Sequence, residues 1–322
     1  MMSGIETLQK SFESYFNHRH FPLSPATLYD PLENFLANSG KRIRPILCLM
    51  GNELFGEIHE DSFHIAAAVE LFHNFSLIHD DIMDEAPLRR GKPTIHAVHG
   101  EPTALLGGDV MMVAAYDYIN KIDSRYIKDV LRLFNKTAKE VCEGQQLDMD
   151  FEKLDKVTME EYLHMISQKT SVLLAASLQM GAIVGGSTLG NQDLLYSFGK
   201  NLGIAFQIQD DYLDAFGDPT KFGKQVGGDI KSNKKTFLMI HALETAKDDD
   251  LIELNAAISS TQDDKVERVL TIFRSCGIDH WAESLKELYL QKALSDLNNI
   301  AVSSNRKESL KQLAYYLISR DK

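Results

Sequence analysis

Residues 63–84 read FHIAAAVELFHNFSLIHDDIMD, and this stretch decides the class of fold. Ile65, Val69, Phe72, Phe75 or Ser76, and Ile78 recur at three- and four-residue steps, the spacing of one face of an α-helix. The stretch ends in Asp80, Asp81 and Asp84, a DDxxD pattern. On a helix, positions i and i+4 share a face and i+1 lies about a quarter-turn away. Asp80 and Asp84 therefore aim one way, with Asp81 beside them.

The same periodicity extends along the chain. Segments 110–121, 126–151, 159–185 and 192–216 read as helices. Seven of the eight prolines precede Thr103 and the last is Pro219, so 103–218 lacks the residue that most reliably breaks a helix. No Asn-Gly turn and no alternating β-branched run suggests a sheet. Loops are expected at 86–101, 185–191, 217–235 and 246–250. From Leu251 onward the pattern is amphipathic, with Trp281, Leu285, Leu288 and Leu294 expected in the core. No Pro-, Ser- or Gly-rich linker divides the chain. The expectation is one all-α domain, a helical bundle spanning 1–322.

A second DDxxD lies in FQIQDDYLDAF, with Asp210, Asp211 and Asp214. A lone triplet could be a solvated acidic face. Two copies, each flanked by apolar residues (Phe75, Ile78 and Ile82; Phe206, Ile208 and Leu213), argue for carboxylates held in buried helices. Carboxylates this close repel and raise one another's pKa unless a cation intervenes. Mg²⁺ suits the pattern, because it is commonly held by one or two carboxylates together with substrate phosphates.

Basic residues cluster near these motifs. Gly40-Lys41-Arg42-Ile43-Arg44-Pro45 is one group, and Arg89-Arg90-Gly91-Lys92 follows the first DDxxD. Lys224, Lys231, Lys234 and Lys235 follow the second, among Gly223, Gly227 and Gly228. Arginine forks and lysine point charges both suit phosphate oxygens. The chain as a whole carries a formal charge of −12 over 322 residues. That excludes nucleic acid as the main partner, which needs a basic surface, but not small anionic substrates. The three cysteines, Cys48, Cys142 and Cys276, are far apart, so neither a CxxC metal site nor a disulfide framework is expected. A reducing cytoplasm fits. No secretory leader is visible, and the apolar stretch 173–186 is too short to span a membrane.

Taken in order, GKRIRP, HDDIMDEAPLRRGKPTIH, LLGGD at 105–109, EGQQLD at 143–148, Lys169-Thr170, FQIQDDYLD and GKQVGGDIKSNKKT resemble the trans-isoprenyl diphosphate synthases, the farnesyl and geranylgeranyl diphosphate synthase group. The resemblance covers roughly 40–235. It implies an all-α isoprenoid-synthase fold with a central substrate cavity, a homodimer, and head-to-tail condensation of isopentenyl diphosphate with an allylic diphosphate. It also implies Mg²⁺, three ions per active site with substrate bound. By matching position, Asp80, Asp84 and Asp210 would ligate Mg²⁺, with Asp81 and Asp214 in support. Arg89, Lys169, Lys224 and Lys234 would hold the allylic diphosphate. Lys41, Arg44, His73 and Arg90 would hold isopentenyl diphosphate. Thr170 and Gln207 would turn dipoles toward an allylic cation, backed by Gln145 and Asp148. His79 and His96 are read as structural.

Phe72, Phe75 and Ser76 precede the first motif, where this family sets chain length. Small Ser76 lies one helical turn below Asp80 and leaves room for a tail, while Phe72 and Phe75 limit it. A C20 product is expected first and C15 second. A class I terpene cyclase would usually carry a different second metal motif in place of DDYLD. A non-catalytic subunit of a heteromeric synthase would usually have lost one motif.

Overall fold

A computed structural model describes residues 3–38, 40–217 and 227–319. It is almost wholly helical, as the periodicity implies. The helices are α1 (Ser3–Phe16), α2 (Ala26–Ala37), α3 (Ile43–Glu53), α4 (Glu60–Met83), α5 (Ile95–His99), α6 (Glu101–Ile119), α7 (Ser124–Glu152), α8 (Met159–Ile166), α9 (Val172–Val184) and α10 (Leu189–Phe216). Shorter and longer helices follow at Gly228–Lys231, Phe237–Thr245, Asp248–Ile258, Lys265–Ser275, Ile278–Asn299 and Ser304–Ile318.

Local signals set the ends. Glu60 and Asp61 in the first turn of α4 oppose the positive end of its macrodipole. α6 starts nine residues earlier than its apolar pattern suggested, with Pro102 in the first turn, where its missing N–H costs nothing. Thr158 and Glu161 form a capping box at the start of α8.

The stretch 86–101 is more ordered than a loop. Leu88–Arg89 pairs antiparallel with Lys92–Pro93. The connecting residues Arg90 and Gly91 have φ of 53° and 75°, the double left-handed conformation that two-residue hairpin turns require. Arginine stands where asparagine is usual, so the sequence signal was missed. Leu288 also departs from expectation: it is 49% exposed, not core.

Contacts gather the chain into two compact units. One comprises Met1–Lys136, Ala176–Leu195 and Ala301–Ser309; the other comprises Thr137–Ala175, Tyr196–Ile300 and Leu310–Lys322. In the first, α3 and α9 meet backbone to backbone. A Cβ on Gly51 would lie 2.2 Å from the Leu178 carbonyl oxygen, and one on Gly181 1.9 Å from that of Cys48. In the second, Tyr162, Phe237, Leu238, Phe273 and Ile278 are buried in one apolar core.

Between α8 and α9 the helix widens. Ser167–Ser171 forms a single π-turn, an insertion often found at functional sites. A Cβ on Gly144 of α7 would come within 2.3 Å of the Lys169 nitrogen, and one on Gly203 of α10 within 2.6 Å of the Ser171 Cα. The extra width of the π-turn fits because neither neighbour has a side chain.

Candidate active site

In the first unit, the last turns of α4 carry Asp80, Asp81 and Asp84. The hairpin returns Arg89 to two of them: Nε donates to Asp81 Oδ1 at 2.7 Å and Nη2 to Asp80 Oδ2 at 3.0 Å. Asp81 is buried, and burial raises its pKa even though Arg89 opposes that shift. Asp84 is exposed at the helix C-terminus. The salt bridges of Arg89 therefore go to Asp80 and Asp81.

The second element of this unit is cationic. Arg44 Nη1 lies 3.1 Å from His73 Nε2. A guanidinium only donates, so Nε2 must accept and His73 is neutral. Burial, then the charges of Arg44, Arg90, Arg89 and Arg42, push the His73 pKa well below its usual value. Burial likewise brings Arg44 down to about 10, and its Nε is buried with no hydrogen-bond partner. A buried orphan donor is costly. An anion with several oxygens would satisfy it. Arg90 lies against Gly40, where a Cβ would sit 3.3 Å from its Cζ.

Arg42 belongs to the same basic run but is used elsewhere. It adopts φ 53° at the start of α3, and its side chain turns inward to Glu70 at 2.5 Å and the Leu36 carbonyl at 2.6 Å. Lys41 is exposed.

The proposed chain-length residues lie one to two turns before Asp80. Phe72 is buried, its ring 5.3 Å from Phe134 and 5.5 Å from Phe75. Phe75 is half-buried and packs on His79 at 4.7 Å. Ser76 Oγ donates to the His73 carbonyl at 2.8 Å. His79 Nε2 bonds the Leu105 carbonyl at 3.1 Å, in the space left by Gly108.

In the second unit, Lys169, Thr170, Gln207, Asp210, Asp214 and Lys234 line one pocket of about 440 Å³. The π-turn delivers Lys169 and Thr170. Lys169 Nζ meets Asp148 Oδ2 at 2.6 Å. Thr170 Oγ1 donates to Gln207 Oε1 at 3.1 Å, and Gln207 Nε2 donates to Asp211 Oδ1 at 2.8 Å. Asp214 Oδ2 accepts the Asp229 backbone N–H at 3.0 Å and so ties α10 to the segment bearing Lys234. Gln145 Nε2 is buried without a partner. Lys224 lies outside the described residues.

Two contributors were not singled out from sequence. Asp229 also lines this pocket, in the GGDIK segment at 227–231, where a lone aspartate among glycines and lysines carries no metal-site spacing of its own. Tyr162 gave no signal, because an aromatic at helical spacing reads as core. Lys265 is a third outlier, a buried lysine whose Nζ bonds Asn233 Oδ1 at 2.7 Å and holds the turn before Lys234.

Among the described residues, no group of three or more His, Cys, Asp and Glu side chains is placed to hold a metal by itself. No helix among them is long and apolar enough to cross a membrane.

The polyprenyl synthetase family model matches residues 25–275. A short chain isoprenyl diphosphate synthase of Methanothermobacter thermautotrophicus is 38% identical over 300 residues, covering 93% of this chain and 92% of that protein. A crystal structure of a geranylgeranyl pyrophosphate synthase superposes with TM-score 0.94 at 42% identity, over 99% of both chains. The geranylgeranyl pyrophosphate synthase of Corynebacterium glutamicum, complexed with isoprenyl diphosphate and magnesium, gives TM-score 0.87 at 25% identity over 98% of both chains.

Proposed function

The chain belongs to the polyprenyl synthetase family and is a prenyltransferase that makes short-chain prenyl diphosphates, and on that premise we propose how its own residues serve the reaction. Each acidic cluster and its basic partners would serve the same reaction, with 1–322 working as a single catalytic domain. The observation that carries the catalytic reading is the convergence of Lys169, Thr170, Gln207, Asp210, Asp214 and Lys234 on one pocket of the second unit.

Asp80, Asp84 and Asp210 would hold Mg²⁺, supported by Asp81 and Asp214, with three ions when substrate is bound. The donor set fits. It is all carboxylate, and a site completed by substrate phosphates and water needs no protein cage. Bound there, Mg²⁺ supplies Lewis acidity toward the leaving diphosphate. Lys169, Lys234, Lys224 and Arg89 would neutralise the same diphosphate as its C–O bond breaks. Thr170 and Gln207 present oxygen lone pairs to the allylic cation that remains. Arg44, with its unpaired Nε, would hold isopentenyl diphosphate together with Lys41, His73 and Arg90. The double bond of isopentenyl diphosphate then attacks the cation. The proton lost from the adduct passes to the departed diphosphate, so no protein base is required.

The product would be C20, with C15 next, because Ser76 leaves space that Phe72 and Phe75 close off further down. The enzyme would act in the cytoplasm as a homodimer. Leu105, Leu106 and Val113 expose apolar surface along α6, which supports burial against a second copy.

The test incubates purified protein with Mg²⁺, isopentenyl diphosphate and, separately, dimethylallyl, geranyl and farnesyl diphosphates. Products are dephosphorylated and weighed by mass spectrometry. Geranylgeraniol is expected. Absence of any elongated product from folded protein would overturn the reading.

A further inference from the structure

Tyr162 is 2% exposed and packs in the core beside Phe237, 6.0 Å between ring centroids. Phenylalanine would bury the same surface there. A buried hydroxyl is tolerated only when it is hydrogen-bonded, and this one donates to Asp211 Oδ2 at 2.5 Å. Asp211 Oδ1 receives Gln207 Nε2 at 2.8 Å. Asp211 is therefore gripped on both oxygens by protein donors, unlike a carboxylate reserved for an ion.

The consequence falls on Gln207. A side-chain amide has a donating and an accepting end. With Nε2 committed to Asp211, Oε1 is turned to the Thr170 hydroxyl, which donates to it at 3.1 Å. The Thr170 proton is thereby occupied as well, and its lone pairs are left over. Both Thr170 and Gln207 line the pocket that also holds Asp210 and Lys169.

We infer that Tyr162 and Asp211 are positioning residues: the chain Tyr162–Asp211–Gln207–Thr170 fixes the direction of the two pocket dipoles so that their negative ends face a developing positive charge. This deepens the proposed function and rests on it. Reversing the Gln207 amide would place an N–H where an oxygen should be. A preorganised dipole acts at full strength only if something prevents that rotation.

The experiment separates charge recognition from diphosphate binding. Calorimetry compares two ligands with inorganic diphosphate and Mg²⁺ present: a tertiary ammonium ion carrying a C10 prenyl chain, with nitrogen in the place of the reacting carbon, and its uncharged carbon isostere. The parent protein should prefer the ammonium ion. In Asp211→Leu, which removes both acceptors, the preference should fall about tenfold or more, the scale of a lost hydrogen bond at a charge. Asp211→Asn should lose part of the preference, because an amide N–H must face one of the two donors. Tyr162→Phe should lose less, because Gln207 keeps its acceptor. In all three, affinity for inorganic diphosphate, its Mg²⁺ dependence, and KM for isopentenyl diphosphate should stay within about twofold while kcat falls. Parent-like preference in folded Asp211→Leu and Asp211→Asn would overturn the inference and leave the prenyltransferase intact. A parent protein that does not distinguish the two ligands would overturn the dipole reading itself.

Discussion

Gly144→Ala tests whether the π-turn positions the groups proposed as catalytic. The new Cβ would lie 2.3 Å from the Lys169 nitrogen, 2.7 Å from its Cα and 2.8 Å from the Gln168 carbonyl carbon. Ordinary contact begins at 3.4 Å, so α7 and the π-turn must separate by about 1.1 Å. All three obstacles are backbone, which cannot step aside by a rotamer change. Overpacking of this kind costs about 1–3 kcal/mol. Alanine returns about 1 kcal/mol through its better helix propensity. The net loss of stability is therefore small, ~0–2 kcal/mol. The effect on turnover is larger, because the residues displaced are Lys169 and Thr170. A misplacement of about 1 Å can cost roughly 100-fold in rate. The assay is incorporation of labelled isopentenyl diphosphate under saturating substrates, beside a thermal melt of each variant. The expected result is a melting temperature within a few degrees of the parent and kcat down by about two orders of magnitude. Gly4→Ala is the control, since no atom lies within 4 Å of its Cβ position. A Gly144→Ala enzyme within about threefold of the parent kcat would refute the argument that the π-turn sets catalytic geometry.

Asp80→Ala and Asp210→Ala should each lower kcat by about 100-fold or more with a near-normal melt, and full activity in a folded variant would remove that aspartate from the metal set. Ser76→Phe should shorten the product by at least one isoprene unit, read by mass, whereas Phe72→Leu should lengthen it. Phe72→Ala is less informative, because emptying that contact with Phe134 costs about 3–5 kcal/mol. His20 gives a pH signature: burial and then neighbouring His18 lower its pKa to about 4, and Nδ1 bonds the Tyr118 hydroxyl at 2.9 Å. The unfolded chain takes up that proton near 6.5 and the folded chain only near 4. Its stabilising contribution is therefore complete above 6.5 and is lost as pH falls toward 4. His20→Asn should flatten the fall in melting temperature across that interval, and an unchanged slope would reject the linkage.

The sequence by itself determined the helical class, both acidic triplets and most of the basic residues around them. Periodicity of 3.6 is a local property of the chain, and DDxxD on a helix carries its own geometry. It also supplied the Lys169-Thr170 and Gln207 positions through motif resemblance. What each charge is used for was decided by tertiary structure. Arg42 and Arg44 are two residues apart in one basic run, yet Arg42, at a left-handed φ, turns into the core toward Glu70, whereas Arg44 Nε is unpaired beside His73. Asp210 and Asp211 are adjacent and identical in type, yet Asp211 is buried and held by Tyr162 and Gln207. Tyr162 is 49 residues from Asp211 in sequence, so no local pattern could connect them. The π-turn is equally silent in sequence, because the room for it is left by Gly144 and Gly203 on other helices. Backbone periodicity is written in near neighbours, whereas the pairing of a buried polar group depends on what folding brings against it.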